Sequence, residues 1–128
     1  MVVTCSREDS TIRLWNYDST KFRSELGRKF IFENTDESAA KPLLTVAIHP
    51  SGYYLAAGCT DKLRFFHVLH DMLRPYREIM QKMVTLLKFS EGGQYLAAAY
   101  PKHKSQSYYV SIYNCYTLEV LKTIQAHA

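Results

Sequence analysis

The sequence predicts an all-β chain assembled from repeated four-stranded antiparallel sheets, and three observations carry that expectation. The stretch Val46-Ala47-Ile48-His49-Pro50-Ser51-Gly52-Tyr53-Tyr54-Leu55-Ala56-Ala57-Gly58 recurs 41 positions later as Leu87-Lys88-Phe89-Ser90-Glu91-Gly92-Gly93-Gln94-Tyr95-Leu96-Ala97-Ala98-Ala99. Each copy is an apolar run, a tight turn and a Tyr-Leu-Ala-Ala run, which reads as strand, turn, strand. Gly52 and Gly93 close these turns, where a close reversal needs φ > 0. Short strands recur along the chain, and a period of ~40–45 residues with four strands per unit marks a radially repeated architecture.

Taken in order, residues 1–6 read as a second strand with no first strand before it, because Asp9 and Ile12-Arg13-Leu14-Trp15 follow where a third strand belongs. Residues 21–32, with Phe22, Phe30 and Phe32 as apolar positions, supply the outer strand of this incomplete unit, residues 1–32. Residues 33–42 have no periodicity, contain three acids and end in Pro42, so they form a loop. Residues 43–80 make the most complete unit: the first hairpin, the Cys59-Thr60-Asp61-Lys62 turn, a third strand over 63–69 and a fourth over 74–80. Pro75 cannot donate to a ladder, so that fourth strand belongs on an outer edge. Residues 83–125 form the next unit, with Val110-Ser111-Ile112-Tyr113 as third strand and residues 118–124 as fourth. The third strands are 47 apart rather than 41, which places a six-residue insertion in 101–107; residues 126–128 begin the next connection.

The order of His-Pro-Ser-Gly turn, Tyr-Tyr-Leu-Ala-Ala-Gly strand, Cys-Thr-Asp turn and Leu-Arg-Phe-Phe strand resembles WD-repeat β-propellers, and nearly all of the chain takes part. The likeness extends to residues 6–16 and to Ile124-Gln125-Ala126-His127. It implies a propeller fragment of about two and a half four-stranded blades, to be completed by the remaining blades of the same propeller or by another chain. It also implies structural roles for Asp9 and Asp61 as turn aspartates, for Trp15 as the strand-end tryptophan, and for His127 in the Gly-His position, where Ala126 replaces the glycine. Phe66-His67 and Tyr113-Asn114 stand where the family has Trp-Asp, the third unit has no turn aspartate and no Gly-His stands before Leu43, so a complete His/Asp/Trp network is not expected in any blade present. Over about one blade, Asp61-Lys62-Leu63-Arg64 and Asp71-Met72-Leu73-Arg74-Pro75-Tyr76-Arg77-Glu78 resemble the cilia- and flagella-associated WD-repeat proteins. That narrower resemblance implies a non-enzymatic scaffold of the axonemal cytoskeleton that docks or regulates dynein arms, with dynein arm subunits, tubulin or adjacent scaffold proteins as partners.

Composition fits a globular domain: 128 residues, 47% hydrophobic and 22% charged. Early charges and the lack of a ~20-residue apolar run argue against a signal peptide or a spanning helix and for a soluble intracellular segment without membrane partners. A net charge of +4 favours acidic partners, but the tyrosines at 108, 109, 113 and 116 lack interleaved Arg or Lys, which argues against nucleic acid. A nucleic-acid- or ribosome-associated scaffold is the alternative function that the basic balance permits. Cys5, Cys59 and Cys115 read as buried free thiols.

No catalytic constellation, cofactor motif or metal-ligand spacing emerges. His67 and His70 are the only close histidines, and their spacing shares a face on a helix but not on a strand. Gly92-Gly93 is a hairpin turn rather than a phosphate loop. Two stretches are expected to bind protein: Lys102-His103-Lys104 at the tip of the insertion, and Arg74, Tyr76 and Arg77 on the edge strand. In an up-and-down sheet, the insertion and the 33–41 loop emerge on the same end, opposite the short turns, which makes that end the expected binding face.

Overall fold

Alternating apolar residues and turn glycines build three antiparallel sheets in the computed structural model, which describes residues 2–6, 11–15, 29–31, 43–69, 73–101 and 107–127. The first sheet holds β1 (Val2–Ser6), β2 (Thr11–Trp15) and β3 (Lys29–Ile31) in that order. The second holds β4 (Leu43–Ile48), β5 (Tyr54–Cys59), β6 (Leu63–Val68) and β7 (Leu73–Ile79) as a simple meander. The third repeats it with β8 (Leu86–Phe89), β9 (Tyr95–Pro101), β10 (Tyr108–Asn114) and β11 (Val120–His127). Successive sheets meet through β1, β4 and β8, so the described residues form an open stack.

The 41-residue repeat is visible at the level of single hydrogen bonds. His49 N–H donates to Tyr54 O at 2.8 Å and Gly52 N–H to His49 O at 2.8 Å; Ser90 N–H donates to Tyr95 O and Gly93 N–H to Ser90 O, each at 2.9 Å. Both turns end in a left-handed glycine, with φ 79° at Gly52 and 72° at Gly93, a conformation that costs a side-chain-bearing residue on the order of 1–3 kcal/mol.

Period-2 alternation then splits the core in two. On β5, Leu55, Ala57 and Cys59 face the first sheet, joining Ile12, Leu43, Phe66 and Leu73. Ala56 faces the third sheet with Leu63, Phe65, Val84, Leu96, Ala98 and Tyr113. The second sheet is therefore covered on both faces, which is why its central strand is a continuous apolar run rather than an alternating one. In the third sheet the buried Ser111 hydroxyl is satisfied laterally, by Tyr100 Oη at 2.8 Å and Thr123 Oγ1 at 3.1 Å.

Some strand ends differ from expectation. The last strand begins at Val120, because Leu118 takes φ 59° and its N–H returns to Asn114 O at 2.7 Å, closing the β10–β11 turn. It also runs through Ala126 to His127, which pairs with Tyr108, so these residues lie inside the fourth strand rather than opening a new connection. Pro75 lies on edge strand β7 opposite Phe66, and the register shift between Phe65 and Phe66 leaves Tyr76 as the extra residue of a bulge.

The cysteines are free thiols, but of the three expected to be buried Cys5 and Cys115 are half-buried, and only Cys59 is buried, in the core between the first two sheets. Burial, only partly offset by Arg64, pushes its thiol up to about 11. The folded state thus holds a proton that the unfolded chain releases near pH 9. The resulting stability is fully present below pH 9 and is lost as pH rises toward 11. Denaturant titrations across that interval should show the wild type losing about 1 kcal/mol per pH unit relative to Cys59→Ala. Parallel pH profiles for the two proteins would contradict this reading of the thiol.

Candidate functional site

At the end of the sheets that carries the short turns, the second and third sheets diverge around an aromatic cleft of about 280 Å³. Each wall follows from strand register. Tyr54 opens β5 and pairs with His67 at the end of β6, so both rings stand on the face toward the third sheet, as does Phe65 two residues before His67. The β7 bulge brings Tyr76 over them, stacked on His67 at 4.2 Å with 28° between planes and 6.2 Å from Tyr54. Burial is the main cause that raises the Tyr76 hydroxyl above its ordinary value. Opposite lie Phe89, from the end of β8, with Cys115 and Tyr116 from the β10–β11 turn. Burial likewise raises the Cys115 thiol.

His49 forms the floor and joins the two sheets. Its Nδ1 accepts from Ser51 N–H at 3.1 Å and lies 2.8 Å from Ser51 Oγ, which leaves Nε2 to donate to Gly93 O at 2.8 Å. The ring also packs edge-on to Tyr54 at 5.4 Å and to Phe89 at 5.2 Å. The turn of one repeat is therefore fastened to the equivalent turn of the next. Across the mouth, Arg77 Nη1 donates to Thr117 O at 3.2 Å. Thr117 is held in place because Asn114 Oδ1 accepts from the N–H groups of Tyr116 and Thr117, at 2.9 and 3.1 Å.

Arg74, Tyr76 and Arg77 are all exposed on β7, and the cleft brings Tyr76 and Arg77 together with residues to which the sequence assigns no role. Asp61 lies in the β5–β6 turn with Oδ2 3.9 Å from Arg64 Nη2. Trp15 lies in β2, its backbone paired with Val2. Asp9 and Lys102, His103 and Lys104 lie outside the described residues. The cleft opens at the end opposite the expected binding face, since β9 ends at Pro101 and β10 begins at Tyr108 on the far side. His49, Tyr54, His67 and Phe89 were missed as a group. The usable signal was that Tyr54 and His67 occupy facing positions of one hairpin. Among the described residues, no group of three His, Cys, Asp or Glu side chains is placed to hold a metal ion.

No family model matches the chain. It is 30% identical over 127 residues to cilia- and flagella-associated protein 57 of Mus musculus, across 99% of this chain and 9% of that protein. It is 31% identical over 97 residues to cilia- and flagella-associated protein 57 A of Tetrahymena thermophila, across 76% of this chain and 7% of that protein. The chain thus spans less than a tenth of the length of these curated relatives. Among solved structures, a functionally unknown protein from Desulfotomaculum acetoxidans DSM 771 superposes with a TM-score of 0.70 over 97% of this chain and 36% of that one. At 8% identity this is a likeness of fold alone.

Proposed function

We propose that the chain is part of a WD-repeat β-propeller that acts as a non-enzymatic protein-protein interaction scaffold in the axoneme of cilia or flagella, where it docks or regulates dynein arms. The observation that carries this reading is the similarity to cilia- and flagella-associated protein 57 along 99% of the chain. The repeated four-stranded sheets are compatible with successive blades. The His49 to Gly93 hydrogen bond ties the turns of successive sheets together, and loops presented on a packed scaffold suit a binding platform.

The test is made on the full-length protein in ciliated or flagellated cells, tagged at its own locus and followed through detergent extraction. The scaffold should stay with the salt-washed axoneme, and its removal should lower the amount of dynein arm subunits retained there. Release of the tagged protein with the membrane and matrix fraction, or an unchanged dynein complement after its removal, would overturn the axonemal or the docking part of the reading respectively.

A further inference from the structure

We propose that the cleft between the second and third sheets is a docking site for an acidic peptide segment that inserts one aromatic or bulky apolar side chain. The volume decides the scale: about 280 Å³ lies at the foot of the ~300–1,000 Å³ range of small-molecule pockets. It suits a side-chain anchor rather than a large cofactor. The walls decide the anchor, because Tyr54, Phe65, Tyr76, Phe89 and Tyr116 offer aromatic surface with few polar groups among them.

The rim decides the charge. Arg74 pairs with His67 and Arg77 with Phe65, so both arginines stand on the sheet face that forms the cleft, and both are exposed. Arg77 uses one donor of its guanidinium on Thr117 O, and a guanidinium carries five. Among the described residues, no carboxylate lines the cleft. The nearest acid on the strand, Glu78, pairs with Arg64 on the other sheet face, and its Oε2 accepts from Lys62 Nζ at 2.9 Å. An anchor flanked by Asp or Glu would thus meet two cations and no competing anion on this face of β7, whereas a basic segment would be repelled.

This inference rests on the scaffold reading but is tested separately, by titrating the full chain with labelled peptides and following their fluorescence anisotropy. The probes are Asp-Glu-Trp-Glu-Asp, the same peptide with Ala for Trp, and Lys-Arg-Trp-Arg-Lys. The acidic Trp peptide should bind most tightly, and its affinity should fall with added salt. Binding should weaken about tenfold in Arg74→Gln/Arg77→Gln, as expected for losing charged hydrogen bonds, and should be lost in Tyr76→Ala. The arginine variants alter only exposed groups, so they remain informative if Tyr76→Ala fails to fold. Equal binding of the Ala peptide would remove the cleft from the contact, and preference for the basic peptide would make it a cation-π site instead. No binding of the acidic Trp peptide, or binding indifferent to both arginines, would also overturn the proposal. The axonemal extraction answers the scaffold question whichever way these titrations fall.

Discussion

Gly93→Val should destabilise the chain by about 3 kcal/mol, read as a lowered denaturant midpoint, the sum of a strained backbone and a lost buried hydrogen bond. The backbone part follows from φ 72° at this position. The second part follows from what a side chain would meet, since a Cβ on Gly93 falls 2.5 Å from His49 Nε2 and 2.6 Å from its Cε1. The imidazole has to swing away, breaking its bond to Gly93 O and the edge-on contacts with Tyr54 and Phe89. Gly52, at φ 79° in the equivalent turn of the preceding repeat, tests the backbone part separately. Gly52→Val should therefore cost less than Gly93→Val. A double-mutant cycle with His49→Ala should recover part of the Gly93 loss, because removing the ring removes the collision. Equal costs at the two glycines, or strict additivity with His49→Ala, would show that the His49 to Gly93 clasp contributes little.

That comparison also shows what could be read from the residues alone. The 41-residue repeat predicted β4 and β5, β8 and β9, and their turns, because a hairpin is specified locally: alternation sets the faces and a glycine sets the reversal. Edge placement of β7 was legible from Pro75 alone. The bulge was not, since nothing in Arg74-Pro75-Tyr76-Arg77 says which residue will be unpaired, and the bulge is what brings Tyr76 onto His67. The cleft escaped for a related reason. Its walls come from two different repeats, and a periodic reading compares repeats without showing how one sits on the next. His49 illustrates this, since it resembles an ordinary turn residue until Gly93 O of the neighbouring sheet is placed at 2.8 Å. Loop length points to the far end of the sheets, and its candidate residues Lys102, His103 and Lys104 fall outside the described residues; the recessed aromatic surface lies beneath the short turns.

Gly58→Val should be the other severe lesion, again about 3 kcal/mol, because it overpacks the seam between the second and third sheets. A Cβ here would lie 2.9 Å from Val84 O, 3.1 Å from Val84 Cβ and 2.9 Å from Thr45 Cγ2. A clash can be relieved only if a neighbour yields, and Val84 is poorly placed to do so. It is fully buried, and the residues on either side are tied down: Met83 N–H donates to Thr60 O at 3.2 Å and Thr85 N–H to Ala99 O at 2.9 Å. The repeat makes an opposite forecast, because Ala99 is the equivalent of Gly58 one unit later. By that analogy Gly58→Ala should be harmless or mildly stabilising, since a methyl group lowers the entropy of the unfolded chain by about 0.4–1 kcal/mol. The packing at Val84 reverses that sign. Gly58→Ala should lose about 1–2 kcal/mol after the entropic gain is subtracted, and Thr45→Ser in the same chain, which removes the Cγ2 methyl 2.9 Å from that Cβ, should reduce the penalty. If Gly58→Ala instead raised the denaturant midpoint, the two sheets would have to sit farther apart at this seam than Gly58 and Val84 indicate.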